Sequence, residues 1–287
     1  ADRGVRLLLG AEVCGLDLQG HSVVLRDGTR LPFDKLLLAS GARPFVPPLP
    51  GADLQGVTSL RTIEDVDALR RTCAGAVRCV CIGGGILGLE TAGALAKHGV
   101  QVTLLESHGW LLPRQLNRRA GEILAERVRR LGITLRHQAA TRAIVGDDRA
   151  RGVLLDDGTT LPADVVVVAT GVRSNLALAQ QAGLAVRHGV IVDNRLTTSH
   201  PDVLAAGDVA EHAGVVYGLW TASQAQGKLA GEILAGGDAE FHGLPRSNTL
   251  KVLSVELFSI GRIEPEGPDS LAIDQESEGC YRRFVFQ

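Results

Sequence analysis

The sequence predicts an α/β fold in which short, buried parallel strands alternate with helices. Three observations lead there. A twenty-residue segment occurs twice, and each copy carries a continuous apolar run ending in a small residue and glycine. A glycine-rich turn stands between one apolar, strand-like run and a helix-like stretch. The composition is that of a packed globular chain: 287 residues, 45% hydrophobic and 22% charged, with 30 basic against 32 acidic side chains. At roughly 100–200 residues per domain the length suits about two domains.

Composition also excludes function classes. The near-neutral charge argues against a nucleic-acid footprint along the chain. No apolar run approaches the roughly 18 residues of a membrane span; the longest candidate, 79–89, is interrupted by Gly83, Gly84 and Gly85. Neither nucleic acid nor membrane is an expected partner. The cysteines (Cys14, Cys73, Cys79, Cys81 and Cys280) are odd in number and scattered. With no signal-peptide pattern at the start, this predicts a reducing compartment, a cytoplasmic location and no disulfide framework. Met is absent even at residue 1, which is read as the mark of a fragment.

The repeat is LRDGTRLPFDKLLLASGARP at 25–44 and LDDGTTLPADVVVVATGVRS at 155–174, ungapped, with ten of twenty positions identical. In each copy the residues before the turn (23–25 and 153–155) read as a short strand. Asp27-Gly28 and Asp157-Gly158 read as hairpin turns in which glycine supplies the positive φ. The runs 36–39 and 165–169 read as strands buried on both faces of a parallel sheet. Each ends in Ser40-Gly41 or Thr170-Gly171, where glycine lets the backbone approach a ligand closely.

The second copy is preceded by a complete βαβ unit. Residues 78–82 read as a strand, 83–88 (GGGILG) fit GxGxxG, 86–98 read as a helix, and 101–106 as the next strand. The unit spans 29 residues, close to the roughly 30 of a dinucleotide site. Gly83 permits the tight turn, Gly85 lets the backbone approach a pyrophosphate, and Gly88 lets helix pack on strand. The helix start offers unpaired N–H groups to phosphate. Glu106 closes the second strand, 23 residues after Gly83. A carboxylate there can accept both ribose hydroxyls and repels a 2′-phosphate, so NADH is expected over NADPH. The plainer alternative for Glu106 is a solvated strand-end charge, and for Glu90 a carboxylate favoured by the helix dipole. Gly83 precedes Gly171 by 88 residues, and the same spacing before Gly41 falls ahead of residue 1. By this symmetry about 50 or more residues, with a first phosphate-binding unit, are expected to precede the chain. The strand-like 280–287 suggests that the other end is cut as well.

The combination of 83–90 (GGGILGLE), 169–175 (ATGVRSN) and 198–210 (TSHPDVLAAGDVA) resembles the FAD-dependent pyridine nucleotide–disulfide oxidoreductase family. Segments 219–231 (LWTASQAQGKLAG) and 250–261 (LKVLSVELFSIG) resemble its nitrite-reductase-like, NADH:rubredoxin-reductase-like and ferredoxin-reductase-like branch. The resemblance covers essentially the whole chain. It implies Rossmann-like FAD/NAD(P)-binding domains, with the NAD domain inserted in an incomplete FAD domain, plus the start of a C-terminal α+β interface domain. Carried onto this sequence, 1–73 is the middle of the FAD domain, 74–187 the NAD domain, 188–240 the FAD return segment and 241–287 the start of the interface domain.

The resemblance also implies the cofactors FAD and NADH. For FAD it points to Ser40 (usually Thr in the family), Gly41, Arg43, Gly207, Asp208 and Trp220, with Gln226-Gly227 in the segment beside the flavin ring. Asp208 at a strand end suits ribitol hydroxyls, and Arg43 suits phosphate pairing. Trp220 reads equally as a core or interface aromatic, and Asp208 as an ordinary strand-end carboxylate. For NADH the positioning groups are Gly83, Gly85, Gly88, Glu90, Glu106 and Gly171. The implied reaction is hydride transfer from NADH to flavin, then electrons onward to a small electron-transfer protein or a linked reductase module. No acid–base residue or nucleophile is assigned. An NADH oxidase, or a thiol-dependent disulfide reductase or peroxidase, is the alternative enzyme, and the thiol chemistry would need a cysteine ahead of residue 1. A third reading is a fragment that binds NADH without turnover. A homodimer stays open.

Several patterns are set aside. Cys79 and Cys81 alternate within a buried strand and read as core packing. No C-x-x-C lies in the NAD domain. Gly227-Lys228 lacks the rest of a phosphate loop. The eight histidines lack zinc spacing, so no metal is expected. Residues 127–130 (RVRR) read as the solvated face of a helix.

Overall fold

The structure is a computed structural model that describes residues 4–75, 78–245, 247–253 and 255–286. It opens with an antiparallel meander, β1 (Val13–Asp17), β2 (Ser22–Leu25) and β3 (Arg30–Pro32), followed by β4 (Leu36–Leu38) and β5 (Ala42–Pro44). Next come β6 (Val57–Thr58) and α1 (Ile63–Cys73), the latter started by a reciprocal capping box between Thr62 and Asp65. The βαβ region runs β7 (Arg78–Ile82), α2 (Ile86–Lys97), β8 (Gln101–Leu105), α3 (Arg118–Arg130) and β9 (Thr134–Arg136). A second meander, β10 (Thr141–Gly146), β11 (Ala150–Leu155) and β12 (Thr160–Pro162), leads into β13 (Val165–Val168) and β14 (Val172–Ser174). Then follow α4 (Ala177–Gln181), β15 (Val190–Val192), β16 (Val203–Ala205), β17 (Ala210–His212) and α5 (Trp220–Leu234). Two hairpins close the chain: β18 (Ser247–Val252) with β19 (Val255–Ile260), and β20 (Leu271–Ser277) with β21 (Cys280–Phe286). Gln287 lies outside the described residues.

The internal repeat is a structural repeat. Ser22 faces Pro32 and Val23 faces Leu31, while Gly152 faces Pro162 and Val153 faces Leu161, the same register 130 residues on. Gly28 and Gly158 hold φ of 86° and 84° in the two turns. In both turns the aspartate Oδ1 accepts the amide of the threonine two residues on, at 2.9 and 2.8 Å. The copies differ in burial. β13 lies between β6 and β7 and is buried throughout, whereas among the described residues β4 pairs only with β16, and Leu36 and Leu37 are only half-buried. The expectation of two buried faces therefore fails for most of 36–39, because burial needs a neighbour on each side.

The chain divides into two compact units. One is Ala1–Arg43 with Arg173–Leu244, the other Pro44–Val172 with Pro245–Gln287. These divisions differ from the sequence-based boundaries at 73, 187 and 240. Residues 44–73 join the second unit because β6 pairs in parallel with β13 and Leu69 of α1 enters that unit's core. Residues 173–187 join the first, where Ala179 and Leu184 pack with Val190 and Val203. The C-terminal segment belongs with the second unit, where Leu253 lies in the core.

The second unit is built on the parallel sheet β6-β13-β7-β8-β9. Along β7 the side chains alternate between two cores. Cys79 and Cys81 join Val102, Leu104, Leu89 and Leu124 under α2 and α3. Val80 and Ile82 join Leu105, Ile144 and Val153 beneath the second meander. A strand apolar on both faces thus carries no hydrophobic alternation in sequence. The two buried thiols are free and sit 3.9 Å apart, within reach of a weak thiol–thiol hydrogen bond, as core side chains. In α3, Arg127, Arg129 and Arg130 are exposed while Val128 is buried, as expected for 127–130. The first unit packs Leu38, Val190, Val192, Val203, Leu204 and Ala205 with Ala230 of α5. Among the described residues no helix is long and apolar enough to cross a membrane, and no cluster of three His, Cys, Asp or Glu could hold a metal.

Candidate functional site

In the second unit the turn from β7 to α2 carries the glycines in three different environments. Gly83 has φ of 114°, and a Cβ there would meet the Ala169 carbonyl at 2.4 Å. Gly88 has no room either, since its Cβ would lie 1.9 Å from the Gly83 oxygen. Gly85, the N-cap of α2, is the reverse case: an added Cβ would meet nothing within 4 Å, and no side chain caps the helix. An uncapped helix start with open space beside its N-cap residue is the kind of place that can receive an anion. Glu90 is exposed on α2. Gly171 has φ of 108° and open space where a Cβ would be. Its carbonyl accepts from the Phe45 amide at 2.9 Å, and Thr170 Oγ1 donates to the Phe45 carbonyl at 2.5 Å.

Glu106 is 6% exposed, which removes the solvated-charge alternative. Oε2 accepts the Gly84 amide at 3.1 Å, tying the carboxylate to the glycine turn. Oε1 accepts the His108 amide at 2.8 Å and Ser107 Oγ at 3.3 Å, and lies 2.8 Å from His108 Nδ1. An ionised carboxylate only accepts, so Nδ1–H is the donor there. A carboxylate has about four acceptor positions. Oε1 is crowded by three donors, and Oε2 is the oxygen with capacity left for a ligand hydroxyl. Ser107 and His108 went unnoticed in sequence because their part is to orient Glu106, which no spacing rule encodes.

Residues 136–140 and 155–157 wall a cavity of about 460 Å³. Its wall is bonded to the Glu106 segment, with the Gln138 amide on the His108 carbonyl at 3.1 Å and the Ala139 amide on the Glu106 carbonyl at 3.0 Å. His137 in that wall keeps a buried Nδ1 with no partner among the described residues. Burial, and then the Arg129 charge, hold its pKa below the ordinary value.

In the first unit, β16 ends at Ala205, and Gly207–Val209 form a 3-10 turn rather than the simple strand end expected. Gly207 holds φ of 80°, and its amide donates to Gln226 Oε1 at 2.7 Å. Ser174 Oγ donates to the Asp208 carbonyl at 2.7 Å, and Ser223 Oγ lies 3.4 Å from Asp208 Oδ1. Ser40, Gly41 and Arg43 are gathered by Asn175. Its Nδ2 donates to the Ser40 carbonyl at 2.8 Å, its amide to the Gly41 carbonyl at 2.9 Å, and its Oδ1 accepts from Arg43 at 3.4 Å. Trp220 opens α5 and is 77% exposed, so it is no core aromatic. Asn175, Ser174 and Ser223 are neighbours that the sequence reading did not assign, and Gln226, which it placed only in the segment beside the flavin ring, proves to hold the Gly207 amide. They support other residues, and only their contacts reveal it.

The arrangement fits dinucleotide groups. The second unit joins an uncapped helix start to a buried carboxylate. The first joins a left-handed glycine, a braced aspartate and a buried glutamine whose Nε2 has no partner among the described residues.

Comparison with known proteins agrees. Residues 1–227 match the model of the pyridine nucleotide-disulphide oxidoreductase family. The chain is 35% identical over its whole length to nitrite reductase [NAD(P)H] of Bacillus subtilis, and spans 36% of that protein. It is 39% identical to the ferredoxin–NAD(+) reductase component of the biphenyl dioxygenase system of Paraburkholderia xenovorans, with 73% of this chain and 52% of that one aligned. Among solved structures, an FAD-dependent pyridine nucleotide-disulphide oxidoreductase from Desulfovibrio vulgaris superposes with a TM-score of 0.86 at 28% identity, covering 99% of this chain and 76% of that one. A fold repeated in register, a glycine turn backed by a buried carboxylate and a family match over most of its length make this chain a member of the pyridine nucleotide-disulphide oxidoreductases, enzymes that work with FAD and a nicotinamide nucleotide.

Proposed function

We propose that this chain is the nucleotide-binding portion of an NADH-dependent flavoprotein reductase that passes electrons to a small electron-transfer protein or a linked reductase module. The observation that carries the reading is Glu106, buried and bonded to the amide of Gly84. It meets a ribose diol with acceptor capacity on Oε2, and a 2′-phosphate with like charge. Relatives point to the onward step: one is named for ferredoxin, another for nitrite.

In this reading Gly85 and the first turn of α2 would hold the pyrophosphate of NADH, since the N–H groups and dipole of a helix start favour negative charge. The open space at Gly171 lets backbone approach the nucleotide. In the first unit, Arg43 pairs with phosphate and Asp208 with ribitol hydroxyls. Ser40 and Gly41 carry the approaching backbone, and Trp220 flanks the ring system. FAD, if bound, would supply a hydride acceptor for NADH and an electron source for the onward acceptor. The protein supplies orientation rather than an acid, a base or a nucleophile. Exposed free Cys14 and Cys280 together with the free Cys79 and Cys81 fit a reducing cytoplasm.

The deciding experiment is the visible absorption spectrum after incubation with FAD and desalting. A retained, stoichiometric flavin band that NADH bleaches anaerobically supports the reading. A colourless protein that still binds NADH reduces it to a nucleotide-binding module without turnover.

A further inference from the structure

Gln226 lies on the buried face of α5 with Ala222 and Ala230 and is 1% exposed. Its Oε1 accepts the Gly207 amide at 2.7 Å. Its Nε2 is sealed from solvent and has no acceptor among the described residues. Burying an amide with unpaired donors opposes folding, and leucine would fill a similar volume without that cost. The glutamine is therefore explained by what its oxygen holds. Gly207 begins the 3-10 turn with φ of 80°, and its N–H is held by this acceptor. The same turn is braced from β14 by Ser174 on the Asp208 carbonyl, and from α5 by Ser223 beside the Asp208 carboxylate. Three side chains thus fix both the backbone and the carboxylate of a turn that, among the described residues, belongs to no strand.

We infer that Gln226 is a positioning residue for flavin binding: it fixes the Gly207–Asp208 turn in the conformation that receives the cofactor, without touching a cofactor atom itself. This rests on the reading of Gly207 and Asp208 as flavin contacts. Fixing the turn in advance lowers the ordering cost at the moment of binding. The acceptor oxygen carries the role, and the Nε2 donors do not.

The test compares the wild-type chain with Gln226→Leu, which removes the acceptor, and Gln226→Glu, which keeps an acceptor oxygen. FAD affinity is read from quenching of flavin fluorescence, and ring environment from the visible circular dichroism of bound flavin. NADH titration and thermal unfolding report on the rest of the molecule. Gln226→Leu is expected to weaken FAD about 10- to 100-fold, the loss typical of a deleted buried hydrogen-bond partner. Gln226→Glu is expected to restore both affinity and the dichroism signature, with NADH binding unchanged in all three. The inference is overturned if Gln226→Leu binds FAD as tightly as wild type, or if Gln226→Glu fails as badly while thermal midpoint and NADH binding hold. Should Gln226→Leu not fold, Ser174→Ala tests the same turn, and unchanged FAD affinity there overturns the inference. A wild-type chain that holds no FAD sinks the flavin reading, and this inference with it.

Discussion

At the β7–α2 turn the carboxylate of Glu106 is shaped by its neighbours before any ligand arrives: one amide on Oε2, three donors on Oε1. Glu106→Ala removes a charged acceptor, for which about 1.5–3 kcal/mol is typical. NADH affinity is then expected to fall roughly 10- to 150-fold, with NADPH binding improved relative to NADH. Titration of both nucleotides checks this, and unchanged NADH binding would remove Glu106 from the site. Glu211 is a second buried carboxylate with a different task. Burial works to raise its pKa, but Arg187 and the amides of Gly189 and His188 outweigh it, and the pKa stands below the ordinary 4.5. A depressed folded value means that its stabilisation is complete above the unfolded pKa and is lost as pH falls through the folded one. The thermal midpoint is therefore expected to drop below about pH 4.5. Glu211→Gln should flatten that acid limb and cost about 1–3 kcal/mol at neutral pH, as read by unfolding across pH.

Among the elements, α2 does more than open at the glycine turn. Its Gly93 receives Leu253 from the β18–β19 hairpin, and a Cβ at Gly93 would lie 1.8 Å from Leu253 Cδ2. Leu253 itself holds φ of 59°, a conformation a two-residue hairpin turn demands and leucine rarely adopts. Burial in the core under α2 offsets that strain. Gly93→Ala overpacks this socket and is expected to cost about 1–3 kcal/mol. Adding Leu253→Ala should return part of that loss, and denaturant melts of both singles and the double mutant measure the coupling. Additive losses would show that the two residues are not in contact in solution. In the sequence, 250–261 entered only as a segment of family resemblance, and nothing in it could pair residue 253 with residue 93.

For the whole molecule, the division into two units predicts where ligands are felt. Hydrogen exchange is expected to slow on NADH addition within the second unit, including β6 as well as β7, β8 and β13, because β6 is a strand of that sheet. FAD is expected to slow exchange in 173–175 and 203–212 of the first unit. If β6 followed FAD rather than NADH, the sequence-based boundary at 73 would be right and the contact-based division wrong.

Much of this fold is legible from local chemistry. The two Asp-Gly turns need positive φ, the all-apolar run 165–168 needs neighbours on both faces, and Gly83 and Gly88 need the absence of a Cβ, while Gly85 leaves open space at the helix start. Each constraint leaves its mark in the residue type at the position itself, a glycine or an unbroken apolar run, even where the crowding neighbour is distant in the chain. The repeat extended that legibility, since equal spacing predicted equal register and the strands obey it. What only tertiary structure decided is whatever depends on partners far apart in the chain. Residues 44–73 belong to the second unit because a two-residue strand pairs with one about 110 residues later. His108 orients Glu106, and Gln226 and Ser174 brace Gly207 and Asp208, through contacts that side-chain periodicity does not encode. Sequence determines which groups can bind a nucleotide, and packing determines which of them are held still enough to do so.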